Sequence, residues 1–151
     1  MSSICIIDTS VFCNILKVPK KSQQHEETIA QFRRYNHDGY TFLLPMATIY
    51  ETGNHIAQNG DGQVRRKTAE LFVQQVTQAF QGKAPWTPTP FDSSEEFSAW
   101  LSQFPDQAMR GSGLGDLSII KVFELQCELH PHRRIFIWSY DAHLSAYNRE
   151  I

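Results

Sequence analysis

Few cysteines, no long apolar run and almost no net charge characterise this chain, and each shortage narrows what it can be. Cys5, Cys13 and Cys127 are odd in number, form no C-x-x-C pair and lie in apolar surroundings. They read as small core residues in a reducing compartment, which excludes a disulfide or zinc–cysteine framework. No apolar run approaches the roughly 20 residues that a membrane span needs, so no membrane partner is expected. No basic stretch followed by a long apolar segment and a small-residue cleavage site opens the sequence, and a cytoplasmic location is expected. Internal repeats and low-complexity tracts are absent.

What is present fits one globular domain over residues 1–151. The 151 residues are 41% hydrophobic and 20% charged, enough to bury a core and too apolar for a disordered chain. The formal net charge of −2 is unlike the usual basic footprint of a nucleic-acid binder. Distribution matters more than the sum. Setting aside four acidic residues that stand out by context leaves a balance of +2, and the cations come in clusters such as Lys20-Lys21, Arg33-Arg34 and Arg65-Arg66-Lys67.

The order of elements follows from periodicity and punctuation. Ile4 to Ile7 is an unbroken apolar run, as in a parallel strand buried on both faces. Val11 to Leu16 suggests a short helix. Ser22 is positioned to cap a second helix running to about Asn36, with Ile29, Phe32 and Tyr35 or Asn36 on one stripe. Thr41 to Leu44 reads as a second buried strand closed by Pro45, with a helix from about Met46 to Gln58 behind it. An amphipathic helix over 64–80 has Leu71, Phe72, Val76 and Phe80 as its apolar stripe. Ser93 and Glu96 form a capping-box signature, and Phe97, Trp100, Leu101 and Phe104 follow at helical spacing; the aromatics Phe91, Phe97, Trp100 and Phe104 are expected to pack in the core. A glycine-rich loop over 109–115 precedes a long apolar helix from Asp116 to Leu129, and Arg134 to Ser139 supplies another buried strand. Strands alternating with helices favour a parallel α/β sheet. Three visible strands are few for a sheet, which points to a hidden one within residues 84–92.

Four acidic residues occupy positions of one kind. Asp8 ends the first strand, Glu51 lies one turn into the helix after the second, Asp116 opens the long helix, and Asp141 follows the last strand. Parallel strands would bring all four to the edge where open α/β sheets bind ligands. Each has an ordinary explanation on its own, since Asp8, Asp116 and Asp141 suit helix caps or turns and Glu51 a solvated helix face. Together they point elsewhere. Four ionised carboxylates in one pocket raise one another's pKa, and a divalent cation relieves the conflict. An all-oxygen set selects Mg²⁺ or Mn²⁺ over Zn²⁺.

Ile-Ile-Asp8-Thr-Ser10, Glu51 with Asn54, Gly115-Asp116-Leu-Ser-Ile-Ile and Trp-Ser139-Tyr-Asp141 resemble, in order and rough spacing, the acidic motifs of PIN-domain ribonucleases. In size the chain is most similar to the VapC-like toxins of bacterial toxin–antitoxin pairs. The resemblance implies a three-layer α/β/α sandwich with a small parallel sheet and Mg²⁺- or Mn²⁺-dependent endoribonuclease activity. It further implies that Asp8, Asp116 and Asp141 hold the metal with Glu51 nearby, and that Ser10, Asn54 and Ser139 support the cluster. RNA as substrate, a cognate antitoxin and a homodimer complete the expectation. The chain departs from many relatives by ending soon after Asp141 and by its long aromatic stretch over 60–110.

The alternatives are weaker. A catalytically silent PIN-like module that binds RNA or protein would have been expected to lose some of the four acids. A phosphoacceptor or phosphatase built on Asp8 would want a second Asp where Ser10 stands. His25, His37, His55, His130, His132 and His143 show no recurring spacing that would mark a histidine-based mechanism. The Gly111 to Gly115 run lacks the Lys-Ser/Thr of a P-loop and instead suits a close approach of the chain to the site.

Overall fold

A computed structural model describes residues 2–151. Its centre is β1 (Ile4–Ile7), every residue of which is buried. Parallel neighbours flank it: β2 (Thr41–Pro45) on one side and β4 (Ile135–Trp138) on the other. The sheet runs β3-β2-β1-β4-β5, where β3 is Trp86–Thr89, parallel to β2, and β5 is Asn148–Arg149, antiparallel to β4. The strand hidden in 84–92 is therefore β3, an edge strand, where Pro88 costs no internal ladder bond. The two-residue β5 closes the opposite edge and has no apolar run to announce it.

Strand side chains alternate between two apolar clusters, one on each face of the sheet. Cys5, Ile7, Phe42, Leu44, Phe136 and Trp138 belong to one; Ile4, Ile6, Leu43, Ile135 and Ile137 belong to the other. The first face is covered by α1 (Thr9–Leu16), α2 (His25–His37) and α4 (Gly62–Phe80), through residues such as Phe12, Phe32 and Phe72. The second is covered by α7 (Leu114–Leu129) and α8 (Ala142–Ser145), through Ile119, Ile120 and Leu144. Helix α3 (Met46–Gln58) contributes to both, with Ile49 and Ile56 on one side and Ala47 on the other. Helices on both faces of one mostly parallel sheet form an α/β fold compatible with three layers. Among the described residues, no helix is long and apolar enough to cross a membrane.

Three local expectations change. Ser22 does not cap α2: its hydroxyl donates to the Val18 carbonyl, and α2 starts three residues later. The Asn14 side chain instead accepts from the Gln24 backbone N–H at 2.9 Å, so a tertiary contact replaces the local cap. On α4 only the Phe72–Val76 side packs, and Leu71 and Phe80 are exposed, Phe80 by 61%. Trp100 on α5 (Ser94–Leu101) is buried as expected, though outside both clusters, whereas Phe97 on α5 and Phe104 at the start of α6 (Phe104–Met109) are only half-buried and join neither cluster. Leu101 is exposed. The Ser93–Glu96 capping box forms as expected.

One buried contact ties the sheet to α3. Thr48 is fully buried, and its hydroxyl donates to the Ile7 carbonyl at 2.8 Å. This fixes α3 just where β1 ends. Replacing it with valine keeps the volume and removes the donor, so Thr48→Val is expected to cost about 1–2 kcal/mol in a urea unfolding titration. An unchanged midpoint would show that the hydroxyl contributes nothing.

Candidate active site

The strand order places the site. From β1 the chain fills one side of the sheet with β2 and β3 and the other with β4, so β1 and β4 flank a topological switch point. In the register Ile7 faces Trp138, so Asp8 and Ser139 leave adjacent strands side by side at the carboxyl edge. Pro45 at the end of β2 leads directly into α3 and Glu51. Asp116 arrives from the second face, in the first turn of α7. Asp8, Glu51, Asp116 and Asp141 all line one cavity of about 260 Å³.

Hydrogen bonds hold each carboxylate by one oxygen. Asp8 Oδ2 accepts from Ser139 Oγ at 2.7 Å and from Ser10 Oγ at 2.9 Å, and also caps α1 through the Ser10 backbone N–H. Ser10 Oγ in turn accepts from the Tyr140 N–H, and Ser139 Oγ from the Asp141 N–H. The two serines therefore splice the β1 and β4 turns together. Asp116 Oδ2 accepts from Gly113 N–H at 3.3 Å and from Ser112 Oγ at 3.4 Å. Asp141 Oδ1 accepts from His143 N–H at 2.7 Å and caps α8. Glu51 Oε2 accepts from Thr9 Oγ1 at 3.1 Å. Capping and clustering are thus compatible, because each carboxylate keeps a second oxygen with no side-chain or backbone donor among the described residues.

Gly115 explains how Glu51 reaches the cavity. It occupies the second position of α7, and a Cβ there would overlap the Glu51 carboxylate, standing 2.7 Å from its carboxyl carbon. The glycine leaves the space in which the carboxylate lies.

Crowding shifts two of the acids. Burial pushes Glu51 above its usual range; Thr9 opposes this, while the Asp116 and Asp8 charges add to it. Burial likewise raises Asp116, opposed by the Gly113 N–H and reinforced by Asp8 and Asp141. A carboxyl raised in the folded state favours folding below its ordinary pKa, and that benefit is lost as pH climbs through the raised value. The metal-free protein is therefore expected to lose thermal stability between the ordinary carboxylate range and neutral pH. Asp116→Asn should flatten that decline, which a series of melting curves in EDTA would measure. A wild-type profile as flat as that of the variant would mean the carboxylates do not strain one another.

Among the described residues, no three His, Cys, Asp or Glu side chains already stand together as a ligand set. The donor chemistry nevertheless fits a hydrated Mg²⁺ or Mn²⁺, which takes oxygen ligands and reaches many of them through its own waters. Four carboxylates around one cavity, two of them raised by burial and, to a lesser degree, by the others' charge, are a site that a divalent cation would stabilise.

Other lining residues went unrecognised in the sequence. His55, four residues after Glu51 on α3, and Lys21 both line the cavity. Burial and the Lys21 charge lower the His55 pKa, which favours the neutral imidazole. The four-residue helical spacing was the available signal. Asn54 lies outside the lining, exposed on α3, because a three-residue step turns it away where the next residue faces the cavity. Cys13 also lines the cavity, but burial pushes its thiol up to about 11, so it stays protonated. Compared with protein-family models, curated proteins and solved structures, the chain matches none.

Proposed function

We propose that this chain is a PIN-like endoribonuclease dependent on Mg²⁺ or Mn²⁺, acting in the cytoplasm as the toxin of a toxin–antitoxin pair. One observation carries the reading: four carboxylates from four separate segments line one cavity at the switch point of a parallel sheet. Asp8, Asp116 and Asp141 would hold the ion, directly or through water, with Glu51 beside them. When bound, Mg²⁺ or Mn²⁺ supplies charge neutralisation at a phosphodiester and a more acidic water. Thr9 keeps Glu51 turned toward the cavity, and the Ser10–Ser139 pair holds Asp8 in place. Lys21 on the rim offers a cation to an incoming phosphate. Cleavage by water would leave a 5′-phosphate and a 3′-hydroxyl. A homodimer and a protein antitoxin rest on the family resemblance alone.

The test is incubation of a mixed structured RNA pool with the purified protein in Mn²⁺ or Mg²⁺ and, separately, in EDTA. Fragments bearing 5′-phosphates are expected in metal and not in EDTA. An intact pool after incubation with folded, metal-loaded protein would reject the nuclease and favour a silent binding module.

A further inference from the structure

Beside the carboxylate cavity lies a second, more apolar groove of about 390 Å³. Tyr50, Phe91, Phe97 and Trp100 supply its aromatic walls, and Glu51 and Gly115 line both spaces. We infer that this groove binds an unpaired nucleobase of the RNA strand whose phosphate lies at the carboxylates. The inference rests on the ribonuclease reading and adds a subsite to it: one unpaired base held by stacking on this chain's own aromatic rings.

The groove is built as a stacking platform. Tyr50 and Phe91 meet edge to face, with ring centroids 5.2 Å apart, yet remain 61% and 49% exposed. Two large aromatic rings left in water beside a cavity are unsatisfied apolar surface with a π-face to offer. Phe97 and Trp100 meet edge to face at 4.9 Å. The Trp100 indole N–H donates to the Asp92 carboxylate, which fixes the plane of the ring. Rigid chain holds Phe91 as well: Pro90 precedes it, and the Ser93–Glu96 capping box starts α5 just beyond. Little ordering cost therefore falls on binding.

Continuity selects the occupant. Because Glu51 and Gly115 belong to both spaces, a ligand in the groove touches the residues that face the phosphate. A single strand joins a flat aromatic group to a phosphate at that short range. Aromatic walls are sequence-tolerant platforms for bases in single strands, where stacking supplies affinity without base pairing. A paired base keeps its faces inside the duplex and cannot enter.

Anisotropy binding in Mg²⁺ with the full chain carrying Asp116→Asn removes cutting from the readout. The probes are an oligoadenylate of about ten residues, an abasic ribose-phosphate strand of equal length, and the oligoadenylate paired in a duplex. The oligoadenylate is expected to bind at least about ten-fold more tightly than either of the others. Phe91→Ser and Tyr50→Ser, both at exposed positions, should each shrink that advantage to about three-fold or less without changing abasic binding. Equal binding of the oligoadenylate and the abasic strand overturns the inference. So does an advantage that survives both substitutions in folded protein. Metal-dependent cutting by wild type without base preference defeats the groove alone; base preference without cutting defeats the nuclease reading alone.

Discussion

Asp116→Asn is expected to reduce metal-dependent RNA cleavage at least about a hundred-fold while leaving the fold intact, since a lost metal ligand removes several kcal/mol of transition-state stabilisation. The substitution is nearly isosteric. The asparagine carbonyl can still accept from the Gly113 N–H and the Ser112 hydroxyl, as Asp116 Oδ2 does now. The first turn of α7 is therefore retained, and only the negative charge is lost. Asp8→Asn should behave alike in cleavage, but it also sits under the Ser10 and Ser139 hydroxyls and at the α1 cap. Asp116 is the cleaner probe for that reason. Initial rates on one RNA substrate over a Mn²⁺ titration, with circular dichroism as the folding control, make the measurement. Wild-type rates in a folded Asp116→Asn protein would remove the carboxylate cluster from the mechanism.

Gly115→Ala is expected to separate activity from stability. Nothing but the Glu51 carboxyl group opposes the new methyl, and that group is the far end of a flexible side chain. The backbone at this helical position needs no left-handed conformation, since Gly115 is not among the residues with positive φ. Alanine is also the better helix former by about 1 kcal/mol. The expected melting temperature is therefore unchanged or slightly raised. Cleavage, in contrast, should fall about ten- to a hundred-fold, because Glu51 is displaced from the cavity by an ångström or more. The double variant Glu51→Ala/Gly115→Ala should be no worse than Glu51→Ala alone, since both remove the same carboxylate from the same place. Additive losses would mean that Gly115 matters for some other reason, such as the path of the substrate.

Some of this was legible in one dimension. The unbroken Ile4–Ile7 run, the apolar stretches over 41–44 and 134–139 and the helices between them identify a parallel α/β sheet, because burial on both faces leaves no alternation. Asp8, Glu51, Asp116 and Asp141 were legible as strand-end and helix-start residues, since parallel strands carry such positions to one edge. The hidden β3 was inferred from the size of the sheet, not from its own residues, where Pro88 masks the strand pattern. The α4 stripe misled, as Leu71 and Phe80 have the spacing of a buried face but lie beyond what the sheet covers.

The sequence by itself thus determined the class of fold and which carboxylates would meet, because both follow from local periodicity and strand direction. Tertiary structure alone decided how they meet. The Ser10–Ser139 link, the Thr9 hold on Glu51 and the space left by Gly115 each join residues far apart in the chain. So does the aromatic groove, whose walls come from α3, the connection after β3 and α5. No periodicity encodes such pairings, since they depend on where packed elements stop and which side chains then face the same gap.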